Sequence, residues 1–387
     1  MYRCYLLHAV SGLWYSRSEV ALNSFQTSGN SPGPGSDPRS GSSRCRVGLL
    51  GFGTIGLALS RRLTGPDAPP SLQLTHICDR RAREKQARQS DPLVNLTWTD
   101  RFDDLLTSDV DIIVEAVSGS EPASDYVRAA LLAGKSVVTA SKLVIAHHGP
   151  ALLTLAERQG RQLRFGAAVG GAMPIVRALA DGLAGDRLLS LDGILNGASN
   201  AVLSRMDELG CEIDEAIADA CARSYTDADP SADLEGVDAG AKLVILCALA
   251  FGLRVAPSQV EIRTTARIRP EDFRTARLRN GTIRQIAHAD YDRDRSSLSV
   301  WVAPMFVSRA SLFARVTGPQ NAAVIVGAYG GEITVTGAGA GGDAAAVGAI
   351  SDLVAIARDR AAIVPAPVLI EAREISGLSD HQLAEAV

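Results

Sequence analysis

Apolar runs and polar gaps divide the chain into two stretches of different rhythm. Residues 46–50, 72–78, 112–116 and 136–139 are short and mostly apolar, with helix-like stretches between them. Strands alternating with helices predict a parallel, doubly wound sheet over residues 45–148. From about residue 149 the rhythm changes. Residues 151–159, 174–183, 213–222 and 239–251 have a helical pattern, while 188–195, 261–264, 299–302, 323–326 and 332–335 are strand-like. That mixture predicts an α+β second domain with an open mixed sheet over residues 149–335, followed by a last segment, 336–387. No internal repeat is evident.

The first 44 residues follow neither rhythm. Residues 27–44 are dominated by Ser, Gly and Pro, so residues 1–44 are expected to be a disordered extension. Cys4-Tyr-Leu-Leu-His-Ala-Val10 is too short and poorly flanked for a secretory signal. Basic residues without acids before Glu19 faintly suggest an organelle transit peptide; a dispensable tail or a wrongly assigned start is the plainer reading.

Two local patterns carry chemistry. In Arg46-Val-Gly-Leu-Leu-Gly51-Phe-Gly53-Thr-Ile-Gly56, a strand runs through a glycine turn into a helix. Gly51 allows the tight turn, Gly53 admits a pyrophosphate, and Gly56 permits close helix–strand packing. Asp79 ends the second strand, where an acid would accept from a ribose 2′-hydroxyl and favour NAD. Arg80 and Arg81 follow at once and could instead hold a 2′-phosphate, or lie in a solvated turn. The second pattern runs from Gly193-Ile-Leu-Asn-Gly197 through Tyr225-Thr-Asp-Ala-Asp-Pro230 to Asp233, Glu235, Asp238 and Lys242. Asp238 and Lys242 stand four apart before an apolar run ending at Phe251, so on a helix they share one face. A proton donor fixed by a carboxylate suits acid/base work on a polar substrate. The plainer reading is a surface ion pair.

Composition narrows the class. The 387 residues exceed one typical domain, and 46% hydrophobic content fills two cores. A net charge of −4 argues against nucleic acid as a partner. The six cysteines (Cys4, Cys45, Cys78, Cys211, Cys221, Cys247) show no metal-ligand spacing and suit a reducing, cytoplasmic compartment. No apolar run approaches the ~18–20 residues that span a bilayer.

Together the two patterns resemble homoserine dehydrogenase, from about Arg46 to about Arg358. Further strings in the same order carry the resemblance. They are Glu115-Ala-Val-Ser-Gly-Ser-Glu-Pro-Ala123, Gly134-Lys-Ser-Val-Val-Thr-Ala-Ser-Lys142, Val169-Gly-Gly-Ala-Met-Pro174, Asn200 after Gly197, and Gly337-Ala-Gly-Ala-Gly-Gly342 before Ser351-Asp-Leu-Val354. The resemblance implies a Rossmann-type domain and a substrate-binding domain that also forms a homodimer through its sheet. It implies that residues 336–387 return to the nucleotide domain, and that too few follow Arg358 for the regulatory domain many relatives append.

The implied reaction is reversible hydride transfer between NAD(P) and aspartate β-semialdehyde, giving homoserine for threonine and methionine biosynthesis. Lys142 and Lys242 match the lysines that flank the substrate, with Lys242 the nearer proton relay. Asp238 would orient that lysine or bind the substrate ammonium, with Asp233 and Asp227 as further partners; Tyr225 and the backbone at Gly197 would complete the pocket. Gly51, Gly53, Thr54, Ile55, Gly56, Asp79, Arg80, Ser118, Ser141, Lys142 and Gly341 would meet the dinucleotide. Main-chain carbonyls near Val169 and Gly171 would serve a monovalent cation.

Departures from the family pattern set the limits. Asp79 stands where relatives often have arginine, which tilts the coenzyme towards NAD. Ser141 replaces an asparagine and Asp227 a glutamate. Gly166 replaces the glutamate that helps hold the cation, and Ala198, Ser199 and Ala201 replace a threonine pair and a tyrosine. The hydride machinery is kept while the pocket is edited. Three readings therefore stand: a homoserine dehydrogenase with a relaxed site, a related oxidoreductase for another small aldehyde or alcohol, and a nucleotide-binding protein without turnover. Retention of Asp238 and Lys242 argues against the third.

Overall fold

A computed structural model describes residues 44–117, 121–226 and 229–387. The expected disorder of residues 1–44 therefore falls, apart from Arg44, outside the described residues. Strands β1 (Cys45–Leu50), β2 (Leu72–Cys78), β3 (Thr97–Thr99), β4 (Ile112–Glu115), β5 (Ser136–Thr139) and β6 (Leu163–Arg164) form one sheet in the order β3-β2-β1-β4-β5-β6. Every pairing in it is parallel. Val47, Leu49, Ile112 and Val114 are buried, because helices cover both faces of such a sheet. The strand order reverses between β1 and β4, and a crevice opens beyond their carboxyl ends. The helix after β5 starts at Lys142, nine residues before its expected start at 151, and runs to Arg158 with Pro150 inside it. Ser141 caps it by accepting from Val144 N.

The second sheet holds β7 (Leu188–Ile194), β8 (Glu261–Ile262), β9 (Gly281–Asp292), β10 (Ser297–Ser308), β11 (Gln320–Gly327), β12 (Gly331–Ala338) and β13 (Glu374–Ser376). Its order is β12-β11-β7-β9-β10-β13, with β8 also on β10. The pairings are antiparallel except those of β8 and β13 with β10, so the sheet is mixed. The pattern over 174–183 resolves into a short α-turn, Ile175–Arg177, and a π-turn, Ala178–Gly182.

The central β9 has no simple alternation because both of its faces are covered. Ala287, Ala289 and Tyr291 join the core formed with the helix Val237–Phe251, while Ile286 joins Trp301 and Met305 on the other face. The helix Gly342–Arg358 then packs Ala346, Ile350 and Leu353 against Leu49 and Leu59 of the first domain. Beyond it the chain runs back to the second sheet, where β13 pairs with β10 and Val387 N donates to Pro304 O. Among the described residues, no helix is long and apolar enough to cross a membrane.

Candidate active site

The glycine turn after β1 is shaped by close contacts. Gly51 has φ +96°, and a Cβ there would lie 2.6 Å from Ala116 O. A Cβ at Gly56 would lie 2.2 Å from Gly51 O. Gly53 differs: nothing lies within 4 Å of its Cβ position, and it is the exposed N-cap of the helix Thr54–Thr64. No acid occupies that helix's first turn, so its amides and dipole face open space able to take an anion. Thr54 is exposed and Ile55 half-buried beside it. Gly341 (φ +100°) also borders open space and caps the helix Gly342–Arg358, whose Gly342 abuts Thr54 O. These contacts fit a dinucleotide pyrophosphate.

Asp79 sits at the end of β2, as expected, but its carboxylate is already engaged. Oδ2 accepts from Phe52 N at 2.9 Å and Lys85 Nζ at 2.6 Å, while Oδ1 accepts from Arg81 N. Burial alone would raise its pKa; these hydrogen bonds outweigh that and hold it below the usual value. Arg80 is exposed next to it. Ser118 lies outside the described residues.

Across the crevice, two lysines clamp one buried aspartate. Asp238, 5% exposed, accepts from Lys142 Nζ at 2.5 Å and from Lys242 Nζ at 2.7 Å. Lys142 begins the helix after β5, and Lys242 lies one turn beyond Asp238 in the helix Val237–Phe251. Burial would raise the Asp238 pKa, but the two ammonium groups hold the carboxyl well below its usual range. Lys242 also donates to Leu195 O at 2.9 Å. An ammonium has three hydrogens, so these two bonds leave one able to serve a further acceptor.

Asn196 ties the cluster together. Its Nδ2 donates to Asp238 Oδ2 at 2.8 Å and Asp233 Oδ1 at 2.6 Å. Its Oδ1 accepts from Ser199 N, capping the helix Gly197–Leu209 and fixing which end of the amide faces the acids. Thr226 Oγ1 donates to the other oxygen of Asp233 at 3.1 Å. Burial, and then the charge of Asp238, push the Asp233 pKa up. Gln285 from β9 donates to Asp233 O and accepts from Ser199 Oγ. At Gly197 a Cβ would meet Pro319 O at 2.7 Å, so only glycine lets this turn close. On the strand ends nearby, Glu115 accepts from Thr139 Oγ1, which accepts from Ser141 N and so seats the start of the Lys142 helix.

Not every expected residue joins the cluster. Asp227 lies outside the described residues. Tyr225 lines a separate polar cavity on the far face of the helix Gly197–Leu209, beside Arg205 and Arg223. Asn196, Gln285 and Glu115 were not singled out in the sequence. Asn196 and Glu115 did stand inside quoted motifs at strand ends, which was their available signal; Gln285 had none.

The turn from Gly166 to Gly171 has an unforeseen partner. Gly166 N donates to Asp352 Oδ2 at 2.7 Å, and that oxygen lies 3.0 Å from where a Cβ at 166 would be. Asp352, on the helix Gly342–Arg358, is 3% exposed, and burial pushes its pKa up to about 6. Val169 is buried, and the carbonyl of Gly171 faces Gly348.

Comparison with known proteins places these features. A family model described as homoserine dehydrogenase matches residues 174–354, and one for the homoserine dehydrogenase NAD-binding domain matches residues 51–166. The homoserine dehydrogenase of Mycobacterium tuberculosis is 39% identical over 266 residues, 68% of this chain but only 60% of that relative's length. A solved homoserine dehydrogenase from Thiobacillus denitrificans superposes with a TM-score of 0.78 at 31% identity, covering 86% of this chain and 80% of that one. A hyperthermophilic archaeal homoserine dehydrogenase mutant, solved with NADPH, gives a TM-score of 0.68 at 27% identity, covering 84% and 99%.

Proposed function

Since this chain belongs to the homoserine dehydrogenase family, we propose that it catalyses reversible, NAD(P)-dependent reduction of aspartate β-semialdehyde to homoserine. The observation that carries this reading is the Lys142–Asp238–Lys242 clamp, set across the crevice from an open glycine turn. Bound nicotinamide would supply or accept the hydride at the aldehyde carbon. Charge then develops on the carbonyl oxygen, and the remaining N–H of Lys242 stabilises and protonates it. Asp238 stays ionised and pairs with both lysines, which holds the donor in place. In the reverse direction Lys242, having first released a proton to solvent, takes the hydroxyl proton as the hydride leaves for the nicotinamide. Asp238, Asp233 and Asp227 would recognise the substrate ammonium, and the backbone at Gly197 closes the floor.

Gly51, Gly53, Thr54, Ile55, Gly56, Ser141, Lys142 and Gly341 would hold the dinucleotide, with Asp79 and Arg80 at its ribose. Asp79 keeps lone-pair capacity on Oδ1 for a ribose hydroxyl, which favours NAD; exposed Arg80 allows NADP as well. A monovalent cation would rest on main-chain carbonyls at Val169 and Gly171. The outer strand β12 leaves a sheet edge that a second copy would extend, which supports a homodimer. Free thiols at Cys45, Cys78 and Cys247 suit the cytoplasm.

The pocket substitutions favour a second reading, an oxidoreductase for a related small alcohol. The deciding experiment follows nicotinamide reduction by the purified protein with homoserine and with short diols and amino alcohols, each against NAD and NADP. Homoserine oxidation above that of every analogue, with kcat/KM higher for NAD, is the expected result. An analogue turned over more efficiently than homoserine would replace the first reading with the second.

A further inference from the structure

The cavity that takes in Tyr225 has a chemistry of its own. It encloses about 370 Å³ between the helix Gly197–Leu209, the helix Ile213–Ala222 and the start of β9. Four arginines line it: Arg205, Arg223, Arg284 and Arg309. The carboxylates on its wall are Asp207, Glu208 and Asp219; Glu208 meets Arg205 Nη1 at 3.5 Å, and the other two are shared among several arginines. Asp219 pairs with both Arg205 and Arg223. Asp207 is divided among Arg284, Arg309 and Arg277, the last approaching from outside the cavity. Among the described residues the cations therefore outnumber the anions.

Arg284 makes the imbalance acute. It is 1% exposed, and its only carboxylate neighbour within 4 Å among the described residues is Asp207 Oδ2, at 4.0 Å. Its other contacts are the Thr282 hydroxyl and three carbonyls, and the one acceptor for Nη2 is Ala314 O at 3.4 Å. A buried guanidinium surrounded by neutral acceptors leaves charge uncompensated, which is costly unless a partner arrives. Burial draws its pKa down to about 10. Arg205 adds to this: its buried Nε lies 3.3 Å from Asp219 without hydrogen-bond geometry. Ser204, Thr317 and Tyr225 put hydroxyls on the same wall.

We propose that this cavity is a binding site for a compact dianion, a phosphate group or a small dicarboxylate, distinct from the hydride-transfer cleft. Planar guanidinium forks from several directions suit a tetrahedral or paired oxyanion, and the hydroxyls supply the remaining donors. The site is built into the fold at the helix that Asn196 caps. Val316 O accepts from both Arg284 Nε and Asn200 Nδ2, and Ser204 Oγ accepts from Gly318 N. Occupancy therefore steadies that helix along its length.

The test is calorimetric titration of the intact protein with inorganic phosphate and, separately, with malonate. Saturating NAD(P) fills the nucleotide site, and sodium chloride holds ionic strength constant. One saturable event per chain with at least one anion is expected, at millimolar affinity or tighter. Phosphate alone or malonate alone identifies which oxyanion the site takes. Arg223→Gln with Arg309→Gln should weaken binding at least tenfold, and Ser204→Leu, which fills the cavity without touching its charges, should abolish it. Lys242→Ala should leave it unchanged. Absence of saturable binding by both anions would show that the arginines only brace the helices. Undiminished binding in Ser204→Leu, or its loss in Lys242→Ala, would place the anion elsewhere and equally overturn the proposal.

Discussion

The two walls of the crevice are built from different materials. On the nucleotide wall, Gly51, Gly53 and Gly56 work by what they lack: a Cβ at two of them would strike a carbonyl, and at the third would stand where a phosphate has room. On the substrate wall the buried Asp238, Lys242 and Asn196 join the half-buried Lys142 and Asp233 in one hydrogen-bonded cluster. A wall made of backbone tolerates changes in neighbouring side chains as long as its shape survives. A wall made of desolvated charge does not, because removing one member leaves its partner buried and unpaired. The same contrast explains why chemistry is expected on the second wall: a poised proton donor requires a low-dielectric site, whereas holding a dinucleotide requires only fit.

The largest effect should separate the walls cleanly. Lys242→Ala removes the N–H proposed to meet the substrate oxygen and should cut turnover by roughly two or more orders of magnitude. Affinity for NAD(P), set by the opposite wall, should change by no more than a few-fold, as fluorescence titration would read. A parallel loss of coenzyme affinity would mean that the lysine supports the nucleotide and would collapse the distinction.

A second effect tests the joint between the domains, where Asp352 accepts from Gly166 N. Its pKa in the folded protein is raised to about 6 from 3.8, so between these values the folded state holds a proton that the unfolded state has released. The contribution is therefore most favourable below about pH 4, declines as pH rises towards 6, and stays low above it. Asp352→Asn can still accept from Gly166 N but carries no charge. It should raise stability above pH 6 by about 3 kcal/mol and flatten the pH 4–6 slope, measured by urea unfolding at several pH values. A variant less stable than the parent at pH 7 would show that the carboxylate is ionised and paired, as a bound cation would make it.

How much of this could be read from the sequence depended on the material. The glycine wall was legible because each glycine sits at a fixed spacing in a strand–turn–helix context, and β1, β2, β4 and β5 were marked by short, mostly apolar stretches. The Asp238–Lys242 pair was legible from helical spacing alone. Its third member, Lys142, lies 96 residues away in sequence and was placed only by family resemblance, since no local pattern records a tertiary ion pair. The strand β9 escaped because Arg284 and Gln285 are polar yet buried, one among carbonyls and one against Asp233. Asp79 was assigned to a ribose, but the structure shows it also gripping Phe52 N and Lys85; the position was legible and the partners were not. Asp352 stood inside the quoted string Ser351-Asp-Leu-Val354, but its role had no local signal, because it depends on the glycine it faces 186 residues earlier.

The smallest effect bears on how far the charged wall has been edited. Ser141 precedes Lys142, caps its helix by accepting from Val144 N at 3.4 Å, and stands where the family resemblance leads one to expect asparagine. Asparagine caps a helix as well as serine, so Ser141→Asn should leave the melting temperature within a degree or two. What it adds is a longer amide next to Lys142, with both a donor and an acceptor to present to substrate or nicotinamide. If the short side chain limits recognition, kcat/KM for homoserine should rise about threefold, near 0.7 kcal/mol, while the ratio for NAD over NADP stays fixed. The gain is small because one exposed polar contact is worth little more, and because Asp227 and Ala198 would remain as they are. An unchanged kcat/KM at an unchanged melting temperature would mean that serine already meets the substrate adequately. The edited wall would then be tuned by the acids around Asp233, where a largely buried network makes each substitution costlier.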